Sequence, residues 1–198
     1  MKKLILSAII ALTTARAYGS IDVFMGANFG LSGMKYEDST IADFLPEAFL
    51  GFGLEAGIKY NLSNIYSIGL TGSYDYLHPS SVDDTLVNAL GADSARLGFS
   101  IIGLSLDNYI RIDQDAGVRN FYLILGAGYA RINENIQARA NGAPVNLPSG
   151  GTDAVMFKVG TLYEVTEHFG LTGTLKLFVP GEVASLGAVY SLGLRATF

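Results

Sequence analysis

The sequence predicts an all-β fold: an eight-stranded antiparallel up-and-down transmembrane β-barrel, preceded by a cleavable signal peptide. Three observations carry that prediction. The chain of 198 residues is 49% hydrophobic and only 16% charged, with a mean hydropathy of +0.34. A soluble domain carries about 25% charge. Beyond the first segment, every apolar stretch is interrupted at alternate positions by Gly, Ser, Thr or a charge, so no run approaches the roughly 20 residues a spanning helix needs. A membrane then leaves only a closed barrel, because lipid requires every backbone group to be paired within the protein.

The first segment reads as an address. Lys2 and Lys3 precede the apolar run Leu4–Leu12, which fades into Ala15-Arg16-Ala17. A charged start, a short apolar core and a small-x-small end describe a secretory signal peptide. Cleavage is expected between Ala17 and Tyr18, dividing the chain into signal peptide 1–17 and barrel domain 18–198. With no Cys in the chain, disulfides, thiolate metal sites and a cysteine nucleophile are excluded. A pI near 4.9 argues against nucleic acid, which requires a basic face.

Period-two alternation marks the strands in order. Ile21–Ser32 sets Val23, Met25, Phe29 and Leu31 against Asp22, Gly26, Asn28 and Gly30. Ala48–Tyr60 sets Leu50, Phe52, Leu54 and Ile58 against Gly51, Gly53, Glu55 and Lys59, and the turn 61–64 leads into Ile65–Tyr76. Arg96–Arg111 breaks step: Leu97, Phe99 and Ile101 share one parity, and Ile102, Leu104 and Leu106 the other. One extra residue flips a strand's register, so a β-bulge is expected near Ile101–Ile102. Asn120–Ile132, Ala154–Glu164, Phe169–Val179 and Ser185–Phe198 complete the set. Each can cross a bilayer, for which about 9–11 tilted residues suffice. Long connections (33–47, 77–95, 133–153) alternate with tighter ones (61–64, 112–119, 165–168), as in barrels with short turns on one side and loops on the other. A short helix is expected over Ser81–Leu90, with Ser81 as its N-cap.

The polar face is too poor in charge to meet water and too small in volume for anything but a narrow interior. Glu55, Lys59, Lys158, Glu164, Lys176 and Arg195 therefore read as an ion-pair network inside the lumen, since buried charges persist only with partners. Lys158, Lys176 and Arg195 are the expected partners of Glu55, and Glu164 or Asp107 of Lys59. Tyr60, Tyr66, Phe121, Tyr163, Phe169 and Phe198 sit on apolar faces beside short turns or the C-terminus, forming an expected aromatic girdle at the periplasmic interface.

Charge divides between the two ends. Without Lys2, Lys3 and Arg16, ten of the 13 bases remain against 18 acids. Ten of those acids (Glu37, Asp38, Asp43, Glu47, Asp83, Asp84, Asp93, Glu134, Asp153, Glu182) fall in connections on the long-loop side, with Lys35 and Arg139 as the only bases there. Such a rim invites weak, shared divalent cations, with Glu37-Asp38 and Asp83-Asp84 the densest pairs. No cluster has the spacing of a metal or cofactor site, and no cofactor is expected.

On its last strand, with Tyr190, Leu192, Leu194, Ala196 and terminal Phe198, the chain resembles the small eight-stranded outer-membrane barrels of Gram-negative bacteria, the OmpA/OmpX-like group. The resemblance implies an outer-membrane address and a C-terminal strand read by the barrel-assembly machinery. It further implies a monomer among outer-membrane lipid and lipopolysaccharide, without the periplasmic peptidoglycan-binding domain of longer members. It implies a structural or surface-interaction role and no catalytic activity. Two alternatives accompany it. One is a narrow porin-like channel lined by the internal charges. The other is a lipid A-modifying hydrolase, because His78-Pro79-Ser80 resembles the His-x-Ser pair of outer-membrane lipid A deacylases, although Ser81 stands where that family has Asn.

Overall fold

The computed structural model describes residues 20–35, 43–89, 91–112, 120–145, 150–180 and 186–198. The signal peptide with its expected cut at Ala17–Tyr18 lies outside the described residues, as do Glu37, Asp38 and Glu182. The described strands are β1 (Ile21–Lys35), β2 (Ala48–Asn61), β3 (Tyr66–Ser81), β4 (Ser94–Arg111), β5 (Phe121–Ala140), β6 (Ala143–Val145), β7 (Gly151–Glu164), β8 (Phe169–Pro180) and β9 (Leu186–Thr197), with one short helix, α1 (Asp84–Ala89).

Eight of these strands form a closed antiparallel ring. Sequence neighbours pair around it, β5 passes to β7, and β9 returns to β1 through Phe24↔Thr197 to Lys35↔Leu186. Both edges of each of the eight are thus paired, which satisfies the backbone without water. β6 lies outside the ring, folded back onto the upper end of β5 by Asn141-Gly142. Both turn residues have positive φ (51° and 74°), the conformation that a two-residue hairpin matching strand twist requires.

The apolar stripe of each strand faces outward. Leu54 is 54% exposed, Leu106 57%, Leu192 75% and Leu194 65%. A contiguous belt of this kind is matched to lipid. No described helix is long and apolar enough to cross a membrane; here the strands do so.

Three expectations are corrected. First, there is no slip at Ile101–Ile102: β4 pairs with β5 without interruption from Ser94↔Arg139 to Arg111↔Tyr122. The irregularity sits on β3 between Leu77 and Ser80, where Pro79 has no N–H to donate to the ladder. Leu97, Phe99 and Ile101 point inward because this part of the interior is itself apolar. Second, β1, β3, β4, β5 and β7 run further than the alternation indicated, taking residues 33–35 of loop 33–47, both ends of 77–95 and most of 133–153 into paired strand. Their outward residues above the belt, such as Ser100, Asn133 and Gln137, are polar, so the stripe fades before the pairing does. Third, Ser81 still belongs to β3, opposite Arg96, and α1 is capped instead by Asp83, whose Oδ1 accepts the Thr85 N–H at 2.7 Å.

Candidate functional site

From the short-turn end upward, the lumen is filled in three layers. The lowest is aromatic and aliphatic: Tyr109, Tyr122, Ile124 and Leu162 pack together. The Lys59 ammonium lies 4.9 Å from the Tyr122 ring centre, and the Arg195 guanidinium 3.9 Å from that of Phe24.

The middle layer is ionic. Arg195 donates to Glu55 Oε1 at 3.1 Å, and Lys158 reaches Glu55 Oε2 at 3.5 Å and Asp107 Oδ2 at 2.9 Å. Thr71 donates its hydroxyl to the same Asp107 oxygen at 2.7 Å. Lys176 donates to Asp75 at 2.7 Å. Glu55, Asp75 and Asp107 thereby balance Lys158, Lys176 and Arg195, and all six are at most 3% exposed. At the lower margin Lys59 bridges Asp22 at 3.1 Å and Glu164 at 3.4 Å, and Asn120 donates to the other Glu164 oxygen at 2.7 Å.

Backbone register explains how these groups meet. Along one hydrogen-bonded row lie Arg195, Gly26 and Glu55; along another lie Lys158, Gly126, Asp107, Gly69, Lys59 and Asp22. A glycine between two charges lets their side chains converge over it. A Cβ on Gly126 would strike Asp107 Oδ1, and one on Gly53 would strike Asp75 Oδ1. Gly53 and Gly126 thus leave lumen volume to the carboxylates, whereas Gly51 makes room for Leu77 and Gly128 lies against the β4 backbone at Leu104. Lys158 and Lys176 are direct cross-strand neighbours, a repulsive arrangement resolved by their turning to different carboxylates.

The six network residues of the sequence reading therefore divide differently than expected. Glu55 takes Lys158 and Arg195, whereas Lys176 goes to Asp75. Lys59 takes Glu164 and Asp22, whereas Asp107 goes to Lys158. Asp75 and Asp107 are full members that the reading of single strands left out of the set.

The top layer is apolar. Phe49, Leu77, Leu97, Phe99, Ile101, Ile132, Met156 and Phe178 form a continuous buried cluster with Val82 and Val87, the latter on α1. Phe49 and Phe99 meet edge to face at 5.2 Å. The helix thus closes the lumen from above with an aliphatic side chain.

Outside, Tyr60, Tyr66, Phe121, Tyr163, Phe169 and Phe198 all lie at the short-turn end; Phe121 pairs with Tyr163, and the Phe198 backbone pairs with Val23. Tyr190, Leu192, Leu194 and Phe198 are exposed on the outer wall. His78 Nδ1 is 3.2 Å from the Pro79 carbonyl, and the Ser80 hydroxyl donates to the Ala48 carbonyl at 3.4 Å. Asp75 is on Lys176 within the lumen and Asp83 caps α1, so neither carboxylate orients the imidazole as a Ser–His–acid triad needs. Among the described residues no group of three or more His, Asp or Glu could hold a metal. The Thr85 hydroxyl and N–H hold the Asp83 carboxyl below its usual range.

Strands that outrun the belt also redistribute charge at the rim. Arg96 now stands above the apolar wall with Lys35 and Arg139, while Arg131, opposite Ile102 at the upper margin of the wall, bridges Asp153 at 3.3 Å. The acids of that side remain in the majority, but the bases gather on β4 and β5.

No family model matches the chain, and no curated protein matches it. Solved structures do. Ail of Yersinia pestis, crystallised with the heparin analogue sucrose octasulfate, superposes over 90% of this chain and 99% of its own at 15% identity, with a TM-score of 0.53. The N-terminal β-barrel domain of Pseudomonas aeruginosa OprF covers 91% and 99% at 16% identity and 0.53. Neisserial surface protein A covers 90% and 97% at 15% identity and 0.52. The chain has the fold of the small outer-membrane β-barrels. In this barrel the ring is complete and the match runs nearly end to end in both partners, so the likeness concerns the whole architecture.

Proposed function

We propose that this is a structural, surface-interacting protein of the bacterial outer membrane, exported by residues 1–17 and holding a closed barrel in lipid with its long-loop rim outside. Its termini face the periplasm, as does the aromatic girdle. The rim carries an excess of acid and meets outer-leaflet lipid and lipopolysaccharide, with weak divalent cations as counterions. The last strand, with Tyr190, Leu192, Leu194 and Phe198, serves the barrel-assembly machinery, and the barrel acts as a monomer without catalysis.

One observation carries the reading: the lumen is occupied by a balanced ionic layer between two apolar ones. An aqueous path would have to separate three anion–cation sets and then wet the cluster around Phe99 and Ile101, and eight-stranded interiors are just wide enough for side chains to fill. Recordings from refolded protein in planar bilayers test this. The expected result is no steady current, and a steady single-channel conductance would turn the reading to a channel. Mass spectrometry of lipid A from cells with and without the protein is expected to show no loss of acyl chains; a deacylated species would bring His78 and Ser80 back as catalytic groups.

A further inference from the structure

Around the upper ends of β3, β4, β5 and β6, the wall rises past the apolar belt. On β4 the last large apolar side chain to face outward is Ile102. Arg96 lies six residues further up, about 20 Å along the strand. Two neighbouring rows of the ladder meet there: Ser81, Arg96 and Gln137 in one, Ser94, Arg139 and Pro144 in the next. Arg96 and Arg139 are therefore diagonal cross-strand neighbours, about 7–8 Å apart. All six residues line a single cleft of about 710 Å3 that also reaches α1, where Asp84 is the one carboxylate in its lining.

This cleft differs from the charged groups elsewhere in the molecule. Lys59, Lys158, Lys176 and Arg195 are ion-paired in the lumen, and Arg131 is paired on the wall. Neither Arg96 nor Arg139 has an ion-pair partner among the described residues. Two arginines, two serines and a glutamine thus share the lining of one concavity with the apolar residues Val82, Val87, Ala95, Ile136 and Ala138, in a rim whose other charges are mostly acidic.

We propose that this cleft is a binding site for a phosphorylated sugar of the outer-leaflet glycolipid. A planar guanidinium pairs with phosphate through two parallel hydrogen bonds, and the hydroxyls and Gln137 supply partners for sugar hydroxyls. The source follows from position: the cleft opens above the lipid-facing wall, at the level where saccharide replaces acyl chain. This deepens the surface-interaction reading and rests on it.

Calorimetric titration of the full barrel in phospholipid nanodiscs provides the test. The probes are the deacylated, phosphorylated core oligosaccharide of lipopolysaccharide, the same oligosaccharide after dephosphorylation, inorganic phosphate, and a sulfated oligosaccharide. The phosphorylated core is expected to bind. The dephosphorylated core and inorganic phosphate are expected to bind at least tenfold more weakly, since each lacks half of the recognised chemistry. Affinity should fall about tenfold in Arg96→Gln and again in Arg139→Gln, and recover in part in Arg96→Lys. Arg131→Gln, whose guanidinium is already paired, should change little. Each variant is checked for folding by the shift in gel mobility on boiling, so loss of the barrel and loss of the site are told apart. Equal binding of the dephosphorylated core, or unchanged affinity in the folded double variant, overturns the site. Tighter binding of the sulfated oligosaccharide overturns the glycolipid as its occupant.

Discussion

The ionic and apolar halves of the lumen solve the same packing problem with opposite chemistry. In the lower half six buried charges neutralise one another over intervening glycines. In the upper half aromatic and aliphatic side chains from β2, β3, β4, β5, β7, β8 and β9 fill the tube, and α1 covers it. Both exclude water, but they respond differently to damage. Deleting an apolar group leaves a cavity, whereas deleting one member of an ion pair strands a charge that has nowhere to be solvated. The difference shows that the polar-inward rule for a barrel strand applies only where the lumen has partners to offer.

Truncating the ionic half should have the largest effect. Glu55→Ala strands Arg195 and leaves Lys158 with Asp107 alone, and a loss of about 3–5 kcal/mol is expected, read as a lower unfolding midpoint in urea. An unchanged midpoint accompanied by steady current in a bilayer would place Glu55 in a permeation path instead. Ile101→Ala in the apolar half should cost about 3 kcal/mol through the cavity it leaves. That loss should be partly restored by filling variants nearby, whereas filling should not rescue Glu55→Ala while the Arg195 charge remains; equal rescue of the two variants would erase the distinction between the layers. A smaller change sharpens it further. Lys176→Met alone strands Asp75, but Lys176→Met with Asp75→Leu should return to within about 1 kcal/mol of the parent, because replacing a whole buried pair by apolar groups is close to neutral. Failure of the second substitution to rescue the first would mean that Lys176 stabilises the barrel through groups other than Asp75.

The smallest effect is expected at α1. Hydrogen bonds from Thr85 hold the Asp83 carboxyl below its ordinary value, so the cap is fully present above the unfolded value of about 3.9 and is lost as pH falls through the lower folded one. Amide exchange at Thr85 should accelerate over that acidic window and not at neutral pH. Asp83→Asn should flatten the dependence while keeping the helix.

Lipid made much of this fold legible. Because the outer wall meets acyl chains across the belt, runs such as Leu50, Phe52 and Leu54, or Leu192 and Leu194, mark every second position, with few breaks such as Asn108 and Thr161. The same reasoning failed where both faces are apolar. Inward Phe99 and Ile101 beside outward Ile102 and Leu104 look like a slipped strand, and only the unbroken β4–β5 ladder shows that the interior has changed character. Strand ends were underestimated for a related cause: above the belt neither solvent is apolar, so Ser100, Asn133 and Gln137 carry no stripe although their backbones remain paired. The charged residues of the lumen were visible one strand at a time, but their partners were not. Asp107 meets Lys158 across Gly126, and Arg195 meets Glu55 across Gly26, rows that exist only once neighbouring strands are aligned. A sequence signal does exist. Several glycines on the polar face fall between charges, and reading strands in candidate registers for that charge–glycine–charge pattern would have selected Asp107, whereas Asp75, whose row holds Gly53 and Asn28, carries no such mark.

The uneven height of the wall has a consequence in the plane of the membrane. The described pairing of β8 with β9 ends at Phe178↔Gly187, near the top of the apolar belt, whereas β4 and β5 stay paired for several residues above it, so among the described residues the wall is higher on one side than on the other. A neighbouring protein can draw close to the low side with only acyl chains to displace. On the high side it must first clear a ledge that rises above the belt. Lateral encounters of this barrel are therefore directional, with a near side and a far side.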